Sequence, residues 1–349
     1  MDPMPDDPQP SRRRPRYKGA HPRRFEEKYK ELDPGRFASE QDKVLARGQT
    51  PAGTHRPIMV AEILELLAPQ PGERALDATL GYGGHARELM ARLRPGGHLL
   101  GLDVDPLELP RTEARLREEG FGEELFSTRR MNFAGLPGLL PETGPFDLVL
   151  ADLGLSSMQI DNPARGFTFK ADGPLDLRMN PRRGAPASEL LARLSESELA
   201  ELLVANSDEP CADAIARELS AAPGPIATTR QLAGAVIRAL EAAGFDRRDP
   251  ETRKSLQRTF QALRIAVNDE LGVLDAFLAC LPRALKPGGR AAILTFHSGE
   301  DRRVKKAFQE HLRGGLYAAI AESPLRPGPE ERHDNPRSSP AKLRWARSG

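Results

Sequence analysis

The chain has 349 residues, of which 39% are hydrophobic and 29% charged, and its formal net charge is +1. That length fits a catalytic domain with an insertion, and no apolar run approaches the roughly 20 residues that a membrane span requires. Cys211 and Cys280 lie far apart and have no Cys or His neighbour at metal-ligand spacing, which argues against a zinc site and a disulfide framework. We therefore expect a cytoplasmic protein without a bound metal.

Both ends of the chain are basic. Residues 1–50 are rich in proline, arginine and lysine and lack apolar periodicity, which is typical of a disordered extension. Residues 11–30 contain nine Lys or Arg against two glutamates, and residues 324–349 contain six cations against three acids. Basic ends on a nearly neutral chain fit a polyanionic partner, although solvated tails commonly have the same composition.

Short apolar strands alternate with helical patterns from about His55 onwards, as in a parallel sheet that is buried on both faces. The predicted strands cover residues 74–79, 98–104, 125–130 (weakly) and 146–153. Residues 285–296 read as a helix end, a Pro-Gly-Gly turn and a fifth buried strand, and a closing antiparallel pair is expected at 316–321 and 342–346. The sequence therefore predicts an α/β domain with its ligand crevice at the carboxyl ends of the strands.

A long stretch of about 130 residues between the fourth and fifth strands shows no strand pattern. Ser195 and Glu198 have the spacing of a helix capping box, as do Thr228 and Gln231, and Gly244 fits a helix stop. We interpret this stretch as a helical insertion.

A glycine-rich loop at residues 81–84 follows Asp77 at the end of the first strand and opens a helix. Glycines allow a ligand to approach the backbone closely, although a tight turn alone would also explain them. Asp77 would repel the pyrophosphate of a nicotinamide dinucleotide but attract a cationic amino-acid ligand. Asp103 ends the second strand, where a carboxylate can bond a ribose diol, and Phe133 can flank an adenine or pack in the core. Together these features favour a methyltransferase.

Asp152 ends the fourth strand and is the candidate catalytic residue. Methyl transfer depends on a positioned nucleophile, and a carboxylate can accept a hydrogen bond from an aromatic amine as positive charge develops. Asp152 is also placed to contact the methionine amine of the cofactor, or simply to cap a helix. For His297 a structural hydrogen bond is at least as good an explanation as a catalytic role.

A loop that mixes cations with aromatic residues follows Asp152. This composition can stack a flipped base and hold phosphates, although a loop that folds back onto the core uses the same residue types. The candidate substrate residues are Arg165, Phe167, Phe169 and Arg178.

Six strings between residues 152 and 344 are much more specific. They read DLGLSSMQID at 152–161, RGFTF at 165–169, DGPLDLRM at 172–179, FQALRIAVN at 260–268, FHSGEDR at 296–302 and NPRSSPAKLR at 335–344. These strings resemble the bacterial small-subunit ribosomal RNA methyltransferase H family (RsmH, formerly MraW), and the similarity extends from His55 to the C-terminus.

The resemblance implies a Rossmann-like class I methyltransferase sheet with an inserted helical domain, and S-adenosylmethionine as the cofactor. It also implies N4-methylation of a cytidine in the decoding region of 16S rRNA, with the small ribosomal subunit as the partner. The expected divisions are an extension at 1–50, a first catalytic part at 51–158, the insertion at 159–250, and a second catalytic part with a basic tail at 251–349. The cofactor-binding positions that carry over are Gly83, Gly84, His85, Asp103, Phe133, Asp152 and Gln159.

Some positions depart from the family's pattern. Residues 253–257 read RKSLQ where a His-Pro-Ala-Thr-like string is usual, residues 207–210 read SDEP where Gly-Glu-Glu is common, and Gly299 replaces a usual leucine. None of these is a cofactor position, so they bear on substrate docking more than on catalysis.

Other functions remain as alternatives. An amino-methyltransferase of DNA would carry an Asp/Asn/Ser-Pro-Pro-Tyr/Phe string after the fourth strand, and residues 152–155 read DLGL instead. An amino-methyltransferase of another RNA is the nearer alternative. An rRNA-binding assembly factor without turnover is also possible, although the intact cofactor positions argue against it.

Overall fold

A seven-stranded sheet lies at the centre of this computed structural model, which describes residues 57–349. The extension expected at residues 1–50 lies outside the described residues. The strands are β1 Arg74–Asp77, β2 His98–Asp103, β3 Phe126–Arg130, β4 Phe146–Asp152, β5 Leu285–Thr295, β6 Tyr317–Ile320 and β7 Lys342–Ser348. Six of the seven agree with the predicted strands to within two residues at each end, whereas β5 already begins at Leu285, where a helix end and a Pro-Gly-Gly turn were expected.

The strand order is β3-β2-β1-β4-β5-β7-β6. The first five strands are parallel, while β7 pairs antiparallel with both β5 and β6. The order β3-β2-β1-β4-β5 is that of a doubly wound Rossmann sheet, whose direction of winding reverses between β1 and β4. The predicted α/β fold and the closing antiparallel pair are therefore confirmed.

Thirteen α-helices accompany the sheet in the described residues. They are α1 Val60–Leu67, α2 Gly84–Leu93, α3 Glu108–Glu118, α4 Leu136–Thr143, α5 Ser157–Asp161, α6 Ala187–Arg193, α7 Glu196–Ser207, α8 Ala212–Ser220, α9 Thr229–Ala242, α10 Pro250–Asn268, α11 Glu270–Ala284, α12 Ser298–Arg313 and α13 Pro329–Asp334. No helix of residues 57–349 is both long and apolar enough to cross a membrane.

Strand β4 shows how the sheet builds two cores. Val149 and Ala151 pack in one cluster with residues of α4, α11 and α12, whereas Leu148 and Leu150 pack in the other with residues of α1, α2 and α3. Successive side chains of a strand point to opposite faces, so a strand that is covered on both faces must be apolar throughout. This requirement explains the continuous apolar runs seen in the sequence.

The residues between β4 and β5 form a third core of their own. Phe167, Leu175 and Leu177 of the loop after α5 pack there with the apolar faces of helices α6 to α10. Leu256 and Phe260 of α10 belong to this cluster, so α10 packs with the insertion although it lies beyond residue 250. The exact domain boundaries stay a prediction.

Local sequence signals set the helix ends in this region. The Ser195–Glu198 and Thr228–Gln231 capping boxes both form, as predicted. Gly244 has a φ of 91°, a left-handed conformation that favours glycine, and it follows the end of α9. These caps satisfy backbone groups that a helix leaves free at its ends.

The basic C-terminal stretch is built into the sheet rather than being a free tail. Leu343 and Ala346 of β7 are buried against the core. Asp301 of α12 accepts hydrogen bonds from Lys342 Nζ at 2.8 Å and from Arg344 Nε at 2.7 Å. These cations are therefore committed to internal ion pairs.

Candidate functional site

Three aspartates end three neighbouring parallel strands. Asp77 ends β1, Asp103 ends β2 and Asp152 ends β4, with β1 hydrogen-bonded between the other two. Because the carboxyl ends of parallel strands lie at the same edge of a sheet, the three carboxylates flank the reversal point of the fold. A ligand crevice was expected at this edge.

The glycine loop lies across the same edge. Gly81 and Gly83 have φ values of 50° and 74°, and a Cβ at Gly83 would lie 2.9 Å from a methyl carbon of Leu116. A Cβ at Gly84 would lie 2.4 Å from Pro57. Side chains at these positions are excluded by conformation or by contact, so the loop keeps its backbone open to a ligand.

Asp103 is held in place by backbone donors. Its Oδ2 accepts a hydrogen bond from the Gly81 amide and its Oδ1 accepts one from the Asp105 amide, both at 2.8 Å. Burial raises the pKa of Asp103 to about 6 in spite of these bonds. The carboxylate borders a cavity that is lined by Gly81, Tyr82, Asp103, Glu108, Ser156, Met158 and Gln159.

Within residues 57–349, neither Asp77 nor Asp152 pairs with an Arg or Lys side chain. Burial raises the pKa of Asp77 to about 6, and burial followed by the negative charge of Glu300 raises that of Asp152 to about 7. Thr79 connects the two strand ends, because its amide donates to Asp77 Oδ1 at 3.0 Å and its hydroxyl accepts from the Asp152 amide at 2.6 Å. A bound cation would favour the ionised form of all these groups.

These features fit S-adenosylmethionine, the expected cofactor. Its sulfonium and ammonium groups are cations that suit the carboxylates of buried Asp77 and partly exposed Asp152, and its ribose diol suits Asp103. The open backbone of Gly83 and Gly84 leaves room for the methionine part of the molecule. The residues present therefore match the chemistry of the cofactor.

The remaining expected cofactor residues lie around the same edge. His85 is in the first turn of α2, where its Nδ1 lies 3.5 Å from Asp152 Oδ2. Phe133 follows β3 and is half-buried, with its ring edge-on to Phe277 at a centroid distance of 5.1 Å. Gln159 lines the cavity and also completes a capping box with Ser156. The fold brings all seven expected positions to one end of the sheet.

Asp105 is a site residue that the sequence interpretation did not identify. Its side chain is fully buried, and it accepts hydrogen bonds from Arg165 Nη1 at 2.7 Å and from Gln159 Nε2 at 3.0 Å. The amides of Leu107 and Glu108 donate to its other oxygen. Asp105 thus links the end of β2 to the loop after β4, two segments that are far apart in sequence.

The structure does not support the expected phosphate contact of Arg165. Its guanidinium is buried against Asp105, and its Nη2 donates to the carbonyls of Arg178 and Met179 at 3.1 and 2.7 Å. Arg178 is also engaged, through a two-pronged bond to Asp176 and a bond to the Gly184 carbonyl. Both arginines hold the loop together instead of facing a ligand.

The two candidate aromatic residues differ in exposure. Phe167 is buried in the core of the insertion, below the guanidinium of Arg165. Phe169 is half-buried and packs against Phe260 at a centroid distance of 5.5 Å. Of the two rings, only that of Phe169 retains substantial exposed surface.

A polar network lies beside this edge at the start of α12. His297 caps the helix through Nδ1, which accepts from the Glu300 amide, so the structural explanation of this histidine fits. In the described part of the chain, Glu270, His297 and Glu300 bring possible ligand atoms within 4.8 Å of one another. Arg264 already pairs with both oxygens of Glu270 at 2.8 Å, which supplies a positive charge to the cluster. We therefore interpret it as an ion-pair network.

Comparison with known proteins agrees with the geometry. The family model of the MraW methylase family matches residues 52–348. Ribosomal RNA small subunit methyltransferase H 2 of Alkaliphilus metalliredigens is 52% identical over 96% of this chain and 97% of its own length. Ribosomal RNA small subunit methyltransferase H 1 of Lachnoclostridium phytofermentans is 50% identical over 96% and 92%.

Among solved structures, TrmN from Thermus thermophilus aligns at 14% identity with a TM-score of 0.39, over 83% of this chain and 48% of that chain. The family match and the curated relatives extend over nearly the whole chain, including every residue of the sheet edge. The chain belongs to the MraW methylase family and is an S-adenosylmethionine-dependent methyltransferase.

Proposed function

We propose that this protein methylates the N4 amine of a cytidine in the decoding region of 16S rRNA. The observation that carries the proposal is Asp152, a carboxylate at the switch point of the sheet. Its side chain is 30% exposed, and no Arg or Lys of the described part of the chain pairs with it. The names of the curated relatives, which are ribosomal RNA small subunit methyltransferases, support rRNA as the substrate class.

The sheet edge supplies the cofactor contacts in this proposal. Asp103 would bond the ribose diol, the amides near Gly83 and Gly84 would meet the methionine carboxylate, and Phe133 would pack on the adenine. Gln159 lines the same cavity as Asp103 and would also border the ribose. When bound, S-adenosylmethionine supplies an electrophilic methyl group on a positively charged sulfur.

Asp152 acts on the amine of the substrate. The lone pair of an exocyclic amine is delocalised into the cytosine ring, so N4 is a poor nucleophile on its own. A carboxylate that accepts an N4 hydrogen bond localises the lone pair and stabilises the positive charge that develops on nitrogen. Its raised pKa suits it to accept the proton near neutral pH.

The base must leave its helix to reach this edge, because a paired amine cannot approach a cofactor at the strand ends. We propose that Phe169, the more exposed of the two loop aromatics, supports the unpaired base. In place of Arg165 and Arg178, the exposed cations of the same loop bind the RNA phosphates in this proposal; they are Lys170, Arg182 and Arg183. Arg165 and Arg178 contribute by fixing the shape of the loop.

The inserted helical domain, expected at residues 159–250, is the docking surface in this proposal. Its helices pack around a core separate from those of the sheet, so their outer faces extend the protein beyond the pocket. An extended surface suits a folded ribosomal particle better than a short RNA. The partner is then the small ribosomal subunit, and the place of action is the cytoplasm.

The direct test is the rRNA of a strain that lacks the gene. Nucleoside mass spectrometry with fragment mapping should show that N4-methylcytidine is lost from the decoding region and restored by the wild-type gene. Loss of a different methylated nucleoside, or an unchanged modification map, would contradict the proposed substrate.

A further inference from the structure

His85 and Asp152 meet at the catalytic edge in a contact whose strength depends on a proton. The side chain of His85 is 8% exposed, and its Nδ1 lies 3.5 Å from Asp152 Oδ2. The side chain of Asp152 is 30% exposed, so it is accessible to solvent on one side while it meets the buried imidazole on the other.

The other ring nitrogen of His85 fixes one hydrogen position. Nε2 of His85 lies 3.0 Å from the carbonyl oxygen of Ile58, which can only accept a hydrogen bond. Nε2 therefore bears a hydrogen, and a neutral ring has only a lone pair at Nδ1. A lone pair that faces an ionised carboxylate is repelled by it. The contact is attractive only if one proton lies between the two groups.

Among residues 57–349, the neighbouring charges with the largest effect on the pair are negative. Asp77 of β1, Glu88 of α2 and Glu331 of α13 act on His85, and Glu300 of α12 acts on Asp152. Burial lowers the pKa of His85, whereas burial raises that of Asp152 to about 7. The raised pKa of Asp152 disfavours the state in which no proton lies between the two groups. The lowered pKa of His85 disfavours the state in which both groups are protonated. Near neutral pH, the two effects together favour a single proton shared by the pair.

We propose that His85 is a positioning residue for methyl transfer, which shares one proton with Asp152 and sets the state in which Asp152 accepts the amine hydrogen. The inference rests on the proposed function. It gives His85 a role in addition to any contact with the cofactor, because the role depends on the state of Asp152.

The proton balance of the reaction requires such an acceptor. N4 forms its new bond to the methyl carbon, while the bond from that carbon to sulfur breaks and leaves its electron pair on sulfur. N4 then loses one proton, which passes to Asp152. The pair holds two protons at that moment, and the exposed side of Asp152 returns one to solvent after the product leaves.

The first test is nitrogen NMR of the imidazole groups in the resting enzyme. In the wild type, we expect the Nδ1 signal of His85 to be that of a nitrogen that shares a hydrogen. In Asp152→Asn, we expect it to change to the signal of a nitrogen that bears no hydrogen. An identical Nδ1 signal in the wild type and in Asp152→Asn would overturn the proposal. This test needs no RNA substrate, so its result stands even if the proposed function fails.

The second test is the pH profile of turnover for His85→Gln, whose amide can still donate to the Ile58 carbonyl but cannot titrate. Without the histidine, Asp152 must lose its own proton before it can accept another, so the acid limb of kcat should move up by about one pH unit. Cofactor affinity is measured in parallel, because His85 is also an expected cofactor position and weaker binding alone would not move the acid limb of kcat. An unmoved limb, or a loss confined to cofactor affinity, would contradict the shared proton.

The matched control is His98→Gln. His98 begins β2 at the opposite end of the sheet, and burial lowers its pKa as it does for His85. The acid limb of this variant should coincide with that of the wild type. If it moved as far as in His85→Gln, the shift would reflect general destabilisation and the inference would fail.

Discussion

The carboxyl end of the sheet and the loop after α5 both contain charged groups with little exposure to solvent, but they differ in whether those charges are paired. Asp77 and Asp152 have no Arg or Lys partner among residues 57–349, and burial raises the pKa of both. Arg165 of the loop pairs with fully buried Asp105 and donates two further hydrogen bonds. Unpaired buried carboxylates mark the place where a cationic ligand binds, whereas fully bonded charges fix a shape.

The largest expected effect is a loss of stability when the buried ion pair of the loop after α5 is broken. Arg165→Met should leave Asp105 buried without its cation and lower the free energy of unfolding by about 3 to 5 kcal/mol. Arg178→Met is the matched variant, since its partner Asp176 is 19% exposed and water can replace the missing bond. Arg178→Met should lower the free energy of unfolding by about 1 kcal/mol or less. Urea unfolding of both variants checks the difference, and equal costs would show that burial of the pair is unimportant.

Removal of the Asp152 carboxylate should lower the rate of methyl transfer and leave the stability of the fold largely unchanged. Asp152→Ala should lower kcat by about a hundredfold or more, as removal of a transition-state hydrogen bond does elsewhere. Asp152→Asn separates the roles, because a loss of turnover with cofactor binding kept assigns the carboxylate to the amine. A parallel loss of cofactor affinity would make Asp152 a ligand of the cofactor. Asp147→Asn, at the other end of β4, is the control and should keep turnover.

Cofactor affinity should depend on pH because of the unpaired carboxylates. Asp77 and Asp103 have pKa values of about 6 and Asp152 of about 7, so a cationic ligand binds best after they ionise. Affinity should therefore rise from pH 5 to pH 8, by roughly tenfold per pH unit for each proton released. The sign is opposite for the unliganded fold, whose stability should fall over the same range because these pKa values are raised.

Calorimetry in buffers of different ionisation enthalpy measures the protons released. S-adenosylhomocysteine lacks the sulfonium charge and should show a smaller pH dependence than S-adenosylmethionine. Equal and flat profiles for the two ligands would rule out the carboxylates as the cation site.

Asp103→Ala tests the ribose contact. Saturating S-adenosylmethionine, at 100 times its dissociation constant, should stabilise the wild type by about 2.7 kcal/mol and raise the melting temperature. The substitution should weaken binding by roughly tenfold, as expected for the removal of one charge-assisted hydrogen bond. Stabilisation by NADH in place of S-adenosylmethionine would contradict the cofactor assignment.

The smallest effect concerns the exposed cations of the loop. Arg182→Ala and Arg183→Ala should each weaken RNA binding modestly and reduce the slope of its salt dependence by about 0.7 log unit for each phosphate that is no longer neutralised. Cofactor affinity should stay the same. A salt slope that is unchanged in both variants would place the phosphate-binding cations elsewhere on the protein.

Local patterns made most of the fold predictable from sequence. Continuous apolar runs identify strands that are covered on both faces, and the Ser195 and Thr228 capping boxes set helix starts through bonds within four residues. Asp77, Asp103 and Asp152 were identifiable because strand ends of a parallel sheet share one edge. Each of these signals is contained in a short segment.

The failures come from interactions between distant segments. Asp105 and Arg165 are 60 residues apart, and no local feature shows that this arginine turns inward. The mixture of cations and aromatic residues suggested an RNA contact. In the structure, Arg165 instead forms a buried ion pair with Asp105, and Phe167 packs in the core of the insertion. The sequence offered one hint of Asp105: it lies two residues after Asp103, the proposed ribose ligand, and just before a helix whose first amides need an acceptor.

The most direct test of the account is the product formed by the purified protein on small ribosomal subunits from a strain that lacks the gene. With S-adenosylmethionine carrying a deuterated methyl group, mass spectrometry of the nucleosides should show labelled N4-methylcytidine. The assembled or partly assembled subunit should be a better substrate than naked 16S rRNA. Efficient labelling of a short oligonucleotide, or a labelled methyl group at cytosine C5, would contradict the account.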